Sequence, residues 1–212
     1  ANSIRYTRFK LETLLNIDLM STERSAKVIS MASVNKNEGK TFSASNLAYA
    51  LSVTDNKVLI MDVDFSKPEQ SKYFPDAVET PELEIVNSET RINFKRKKVS
   101  RNLHIIDTHR ISENLCDYVE SAVFKSFLED LKSEYDIIII DSPPINGHLE
   151  PFLLAQYSDF VIFVTNQRKT IKDDFKRALK TFRDTYNGPI LGILNFTYDD
   201  LKGAIAERKD AA

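Results

Sequence analysis

The sequence predicts an α/β fold, a mostly parallel central sheet with helices on both faces, in a single domain over 1–212. Three observations carry this. Apolar runs at 27–32, 58–61 and 137–140 are continuous rather than alternating, the mark of strands buried on both faces of a parallel sheet. Segments with helical spacing lie between them, which implies right-handed crossovers. Each of the three runs also passes directly into polar residues able to shape a turn.

The elements follow in order. Over 41–53, Phe42, Ser45, Leu47, Ala48 and Leu51 fall on overlapping helical faces. Over 121–133, Phe124, Phe127, Leu128 and Leu131 recur at helical spacing, as do Phe175, Leu179 and Phe182 over 171–186. Further strands are expected at 103–106, 160–165 and 190–194. The least regular stretch is about 66–103. It holds Pro68, Pro75, Pro81 and the basic run Lys95-Arg96-Lys97-Lys98, expected on a solvated face or strand edge.

Composition narrows the function. A net charge of −2 over 212 residues argues against a nucleic-acid partner, which needs a basic face. One cysteine, Cys116, excludes an internal disulfide and fits a reducing compartment. No apolar run approaches the ~20 residues needed to span a bilayer, and residues 1–5 carry no signal-peptide core.

The strongest signal is Ser33-Val34-Asn35-Lys36-Asn37-Glu38-Gly39-Lys40-Thr41, between the first strand and a helix. Backbone N–H groups at such a junction converge on phosphate oxygens. Gly39 permits close approach, Lys40 reaches the β- and γ-phosphates, and the Thr41 hydroxyl suits Mg²⁺. The usual first glycine, five residues before Gly39, is Val34. The nucleotide candidates are Ser33, Asn37, Glu38, Gly39, Lys40, Thr41 and Phe42, and the expected cofactors are ATP and Mg²⁺.

Two acidic segments follow in the expected places. Asp62-Val63-Asp64 comes directly after 58–61, and Asp141-Ser142-Pro143-Pro144 directly after 137–140. Carboxylates at the C-terminal ends of parallel strands sit at the ligand-binding edge of a sheet. Their oxygens suit Mg²⁺, so Thr41, Asp62 and Asp141 are the metal candidates. Asp141 resembles the Mg²⁺-linked Asp of a Walker B strand. The catalytic candidates are Lys40, Asp62, Asp64 and Asp141, with Asp62 or Asp64 orienting and deprotonating the acceptor. His104, His109 and His148 have no metal spacing and read as surface or loop residues. Tyr49 and Tyr135 read as packing residues.

These segments resemble the MinD/ParA-like branch of P-loop NTPases, and within it the bacterial tyrosine kinases of capsule and exopolysaccharide export. The resemblance runs from Arg5 to about Asn195. It rests on Asp62-Val63-Asp64-Phe65-Ser66-Lys67-Pro68, on Tyr135-Asp136 through Pro143-Pro144, and on Gly188-Pro189-Ile190-Leu191-Gly192-Ile193-Leu194-Asn195. The sequence departs from the family at several points. The Arg after Asp-x-Asp is Ser66, the loop's Pro-Gly is Lys36-Asn37, and the partition-type signature lysine falls at Asn35. The Asp-Ala after Pro-Pro is Glu150-Pro151. The N-terminal Glu-x-x-Arg-x-x-Arg begins with Asn2 and keeps Arg5 and Arg8. Of the tyrosine-rich tail, only Tyr198 follows Tyr186.

The resemblance implies that Asn195 lies near the base and that the acceptor is a tyrosine. It implies a membrane-bound polysaccharide co-polymerase or chain-length regulator as partner, fused or separate. The expected location is therefore cytoplasmic, at the inner face of the cell membrane. It implies self-association through Arg5 and Arg8, weakened by Asn2. The readings are a tyrosine kinase, an ATP-dependent switch or scaffold, and a MinD/ParA-type ATPase.

Overall fold

The computed structural model describes residues 2–19, 26–64, 69–80, 93–109 and 115–196. Tyr198, and Phe65, Ser66, Lys67 and Pro68 after Asp62-Val63-Asp64, lie outside the described residues, as does the side chain of Asn2.

Eight strands form one sheet: β1 Lys27–Ser33, β2 Val58–Asp62, β3 Val78–Glu79, β4 Asn93–Lys98, β5 Leu103–His109, β6 Ile137–Asp141, β7 Phe160–Asn166 and β8 Ile190–Asn195. Their order is β3-β4-β5-β2-β6-β1-β7-β8. The six strands from β5 to β8 in that order pair in parallel, and β4 and β3 are added antiparallel at one edge. All six strands read from the sequence are present and parallel. The sequence reading missed the edge hairpin, because β4 carries Lys95-Arg96-Lys97-Lys98 and lacks an apolar run.

The helices are α1 Asn2–Leu19, α2 Lys40–Ser52, α3 Gln70–Tyr73, α4 Leu115–Glu120, α5 Ala122–Glu134, α6 Glu150–Ala155 and α7 Lys172–Thr185. The parity of each strand assigns its side chains to a face. Ile29, Met31, Val58, Ile60, Ile137 and Ile139 pack with Leu11 of α1 and with Ala44, Leu47, Ala48 and Leu51 of α2. Val28, Leu59, Met61, Ile138 and Ile140 pack on the other face with Phe124, Phe127, Leu128 and Leu131 of α5. Val161 and Phe163 meet Ala178 and Phe182 of α7. Each fully buried aliphatic side chain contributes roughly 1.5–3 kcal/mol, so both faces hold the strand ends firmly. Ser121 caps α5, its Oγ accepting from the Phe124 N–H at 3.2 Å.

Among the described residues, no helix is long and apolar enough to cross a membrane. His104 departs from its reading as a surface residue. It is half-buried on β5, its Nδ1 lies 3.1 Å from the Tyr135 hydroxyl, and that hydroxyl accepts from Arg96 at 3.0 Å. Burial, then the positive charges of Arg96, Lys57 and Lys98, lower its pKa to about 4. Tyr49 also departs from its reading as a packing residue, with 58% of its surface exposed.

Candidate active site

The chain from β1 into α2 forms a compact loop. Asn37 and Gly39 adopt left-handed backbones, with φ of 63° and 92°. Glycine takes the second freely, whereas Asn37 is one of the few side chains that tolerate it. Val34 needs no glycine: its φ is ordinary, and its side chain is buried with Ala32, Ala155 and Phe163.

Glu38 holds the loop from inside. Its carboxylate, 1% exposed, accepts the Asn35 backbone N–H at 3.1 Å and the Thr170 hydroxyl at 2.6 Å. Thr170 accepts in turn from the Asn166 N–H at 2.8 Å, which ties the loop to the end of β7. The Asn35 Oδ1 accepts from Asn146 at 3.2 Å, beyond Pro143-Pro144.

The acidic residues lie side by side. Parallel pairing sets Asp62 opposite Asp141 on one flank and opposite Asp107 on the other. Lys40 donates to Asp141 Oδ1, with both side chains buried. Gln70 Nε2 donates to Asp141 Oδ2 at 2.8 Å, while the Gln70 Oε1 accepts from Ser45 at 2.7 Å. Asp62 accepts three backbone N–H groups, from Asp64 at 3.1 Å, Glu69 at 2.7 Å and Gln70 at 3.0 Å. Burial first, then the charge of Asp141, raise the Asp62 carboxyl to about 7 against the pull of these amides.

A cavity of about 290 Å³ opens above this row. Ser33, Asn37, Glu38, Gly39, Lys40, Thr41, Phe42, Asp62 and Asp64 all line it. Asp141 lies beneath Lys40, 1% exposed. Asn195 is not among the lining residues. Its Nδ2 donates to the carbonyls of Glu38 and Gly39, at 3.1 and 3.5 Å, and to the Ser43 hydroxyl at 3.2 Å. It braces the back of the loop instead of facing the cavity.

The sequence reading missed four residues here. Asp107 carried a legible signal, being a carboxylate directly after the apolar run expected as a strand at 103–106, as Asp62 and Asp141 follow theirs. Gln70, Thr170 and Tyr73 carried none. Tyr73 lines the cavity edge-to-face with Phe42, their ring centroids 6.2 Å apart. Burial, then Glu69 and Asp141, raise its phenol above the ordinary value.

No three acidic, histidine or cysteine side chains among the described residues are placed to hold a metal by themselves. Mg²⁺ takes one or two carboxylates and fills its shell with water and phosphate oxygens, and the hydroxyl of Thr41 and the carboxylates of Asp62 and Asp141 are oxygen donors of that kind. Residues 26–190 match the family model of the AAA domain.

The chain belongs to that family.

This AAA domain is 28% identical over 161 residues to the tyrosine-protein kinase CpsD of Streptococcus pneumoniae, covering 75% of this chain and 71% of the relative. It is 27% identical over 157 residues to the tyrosine-protein kinase ptk of Acinetobacter johnsonii, covering 72% of this chain but only 21% of that longer relative. Its fold matches the kinase domain of Escherichia coli tyrosine kinase ETK with a TM-score of 0.71 at 17% identity, covering 89% of this chain and 73% of the other. A plasmid partition protein of Borrelia burgdorferi bound to AMPPNP matches with a TM-score of 0.58 at 25% identity, covering 82% and 76%. The fold of this AAA domain is thus that of a P-loop NTPase of the MinD/ParA-like type.

Proposed function

We propose that the chain is an ATP-dependent protein tyrosine kinase domain acting in capsule or exopolysaccharide export, beside a membrane-bound polysaccharide co-polymerase. One observation carries the reading: Lys40, Thr41, Asp62 and Asp64 line a single cavity, with Asp141 directly beneath. Similarity to tyrosine kinases supports the choice of acceptor.

Phosphoryl transfer is mostly positioning and charge neutralisation. Lys40 exchanges Asp141 for the β- and γ-phosphates, and the loop amides hold their oxygens. The Thr41 hydroxyl, Asp62 and Asp141 are the oxygens that would hold Mg²⁺, which would neutralise phosphate charge. The acceptor phenol forms its bond to the γ-phosphorus as the β–γ bridging bond breaks, ADP leaves, and the phenol proton passes to a carboxylate. We assign that base to Asp64. Asp62 already receives three backbone amides, whereas Asp64 is half-buried at the cavity wall.

The test is incubation with labelled Mg-ATP and a tyrosine-containing peptide polymer, read by phosphotyrosine analysis. Label on tyrosine that disappears in Lys40→Met is expected. ATP hydrolysis with no phosphotyrosine would overturn the kinase reading and favour an ATP-dependent switch. Ser66, standing where similar kinases carry arginine, speaks for that second reading.

A further inference from the structure

One buried cluster lies outside the cavity. The Lys97 ammonium, on β4, reaches inward. It donates to Asp107 Oδ2 and to Ser71 Oγ, each at 2.7 Å. Ser71 Oγ donates in turn to Asp107 Oδ2. The Lys97 side chain is 15% exposed and that of Asp107 3%. The second Asp107 oxygen, Oδ1, is buried and makes no hydrogen bond.

A buried ion pair brings little net stability, because desolvation offsets much of the attraction. An unmet carboxylate oxygen adds to the cost. The cluster's position suggests why it is there. Ser71 sits on α3, one residue after Gln70. The same short helix and its N-terminal flank supply two of the amides that hold Asp62 and the carboxamide that holds Asp141. Four residues of helix have no stability of their own. Asp107, beside Asp62 in the sheet, fixes Ser71 from below, and Lys97 fixes it from the edge.

We propose that Lys97, Asp107 and Ser71 form a latch whose task is to position Asp62 and Asp141 through α3. Lys97 and Ser71 are positioning residues of the phosphoryl-transfer site, and the edge hairpin β3–β4 exists to deliver Lys97. Diagonal cross-strand geometry explains the choice of residue. Lys95 is opposite Asp107, and Lys97, two residues on along the same face, has the reach to approach it. The basic run is therefore divided in function: Lys97 turns in, while Lys95 is 3.6 Å from Glu79 at the surface. The inference rests on the kinase reading for its chemistry, but not for its geometry.

The test uses Ser71→Ala, which cuts the tie to α3 and leaves the Lys97–Asp107 pair intact. Turnover should fall about tenfold, since small misplacements of catalytic groups are costly. The dissociation constant for Mg-nucleotide should stay within about twofold, a split that separates positioning from binding. Ser71→Thr should restore turnover. Hydrogen exchange at the Glu69 and Gln70 amides should accelerate in Ser71→Ala and in Lys97→Met. Unaltered exchange in both variants would overturn the latch, as would full turnover in Ser71→Ala. A wild-type chain with no phosphoryl transfer would defeat the kinase reading, and the exchange measurement would then decide the latch alone.

Discussion

Lys40 donates directly to Asp141, so the lysine we propose to bind phosphate is held by the protein's own carboxylate where the nucleotide's charge is expected. Removing one partner of a buried pair strands the other, at a cost of about 3 kcal/mol. Lys40→Met should therefore lose Mg-ATP binding or turnover and also unfold at lower denaturant. Calorimetry and urea titration check both. Unchanged binding and turnover in a folded variant would defeat the phosphate-loop assignment.

Asp62→Asn should flatten the pH dependence of stability. The folded carboxyl titrates near 7 and the ordinary one near 3.8. The folded state thus holds its proton more tightly, and stability is lost as pH rises from about 4 to 7. Without nucleotide or Mg²⁺, the difference in melting temperature between pH 5 and pH 8 should shrink in the variant. An equal difference in both proteins would contradict this. Phosphoryl transfer should collapse in Asp62→Asn, Asp64→Asn and Asp141→Asn alike.

His104 has the opposite sign. Its folded value is about 4 against an ordinary 6.5, so the unfolded chain takes up the proton first and stability falls as pH drops through that interval. His104→Gln should lose less melting temperature between pH 7 and pH 5 than the wild type. A steeper loss would mean that the ring is protonated beside Arg96.

Gly39→Ala should fail for two reasons. The residue would need φ near 92°, and its added Cβ would strike the Asn195 carboxamide. A side chain forced to positive φ costs upwards of about 1 kcal/mol. Mg-nucleotide affinity should fall with stability, because Asn195 must release Ser43 and the loop carbonyls. Asn195→Ala in the same background should restore part of both, and its failure to do so would remove Asn195 from the account.

The isolated chain should be mostly monomeric at micromolar concentration. Arg8 is engaged within the chain: its Nη1 donates to the Ala50 carbonyl at 3.4 Å, and its Nε lies 3.6 Å from Glu12. An exposed ion pair contributes at most about 1 kcal/mol, so Arg5 and Arg8 should add little to any contact with a neighbour. Light scattering checks this. A stable ring indifferent to replacing both arginines would place the contact elsewhere.

The parallel strands were legible because Ile29, Ile60 and Ile139 have equivalents on both faces, which leaves unbroken apolar runs. Helices α2, α5 and α7 were legible from stripes such as Phe124, Phe127, Leu128 and Leu131. The hairpin was not, since Lys97 earns burial through Asp107, a partner that no local pattern reveals. Asn195 was singled out on likeness alone, and no local pattern showed that its carboxamide donates to the loop carbonyls. Gln70 lay in a proline-flanked stretch without periodicity, and only the sheet order brings it to Asp141.

Glu38 has a kinetic consequence. A loop folded on its own carboxylate, with Thr170 and Asn35 in place, has little left to order when a ligand arrives. Nucleotide association should then be a single diffusional event, its observed rate linear in concentration and free of a slow second phase. Thr170→Val should bend that line into a hyperbola, as an opened loop waits to close.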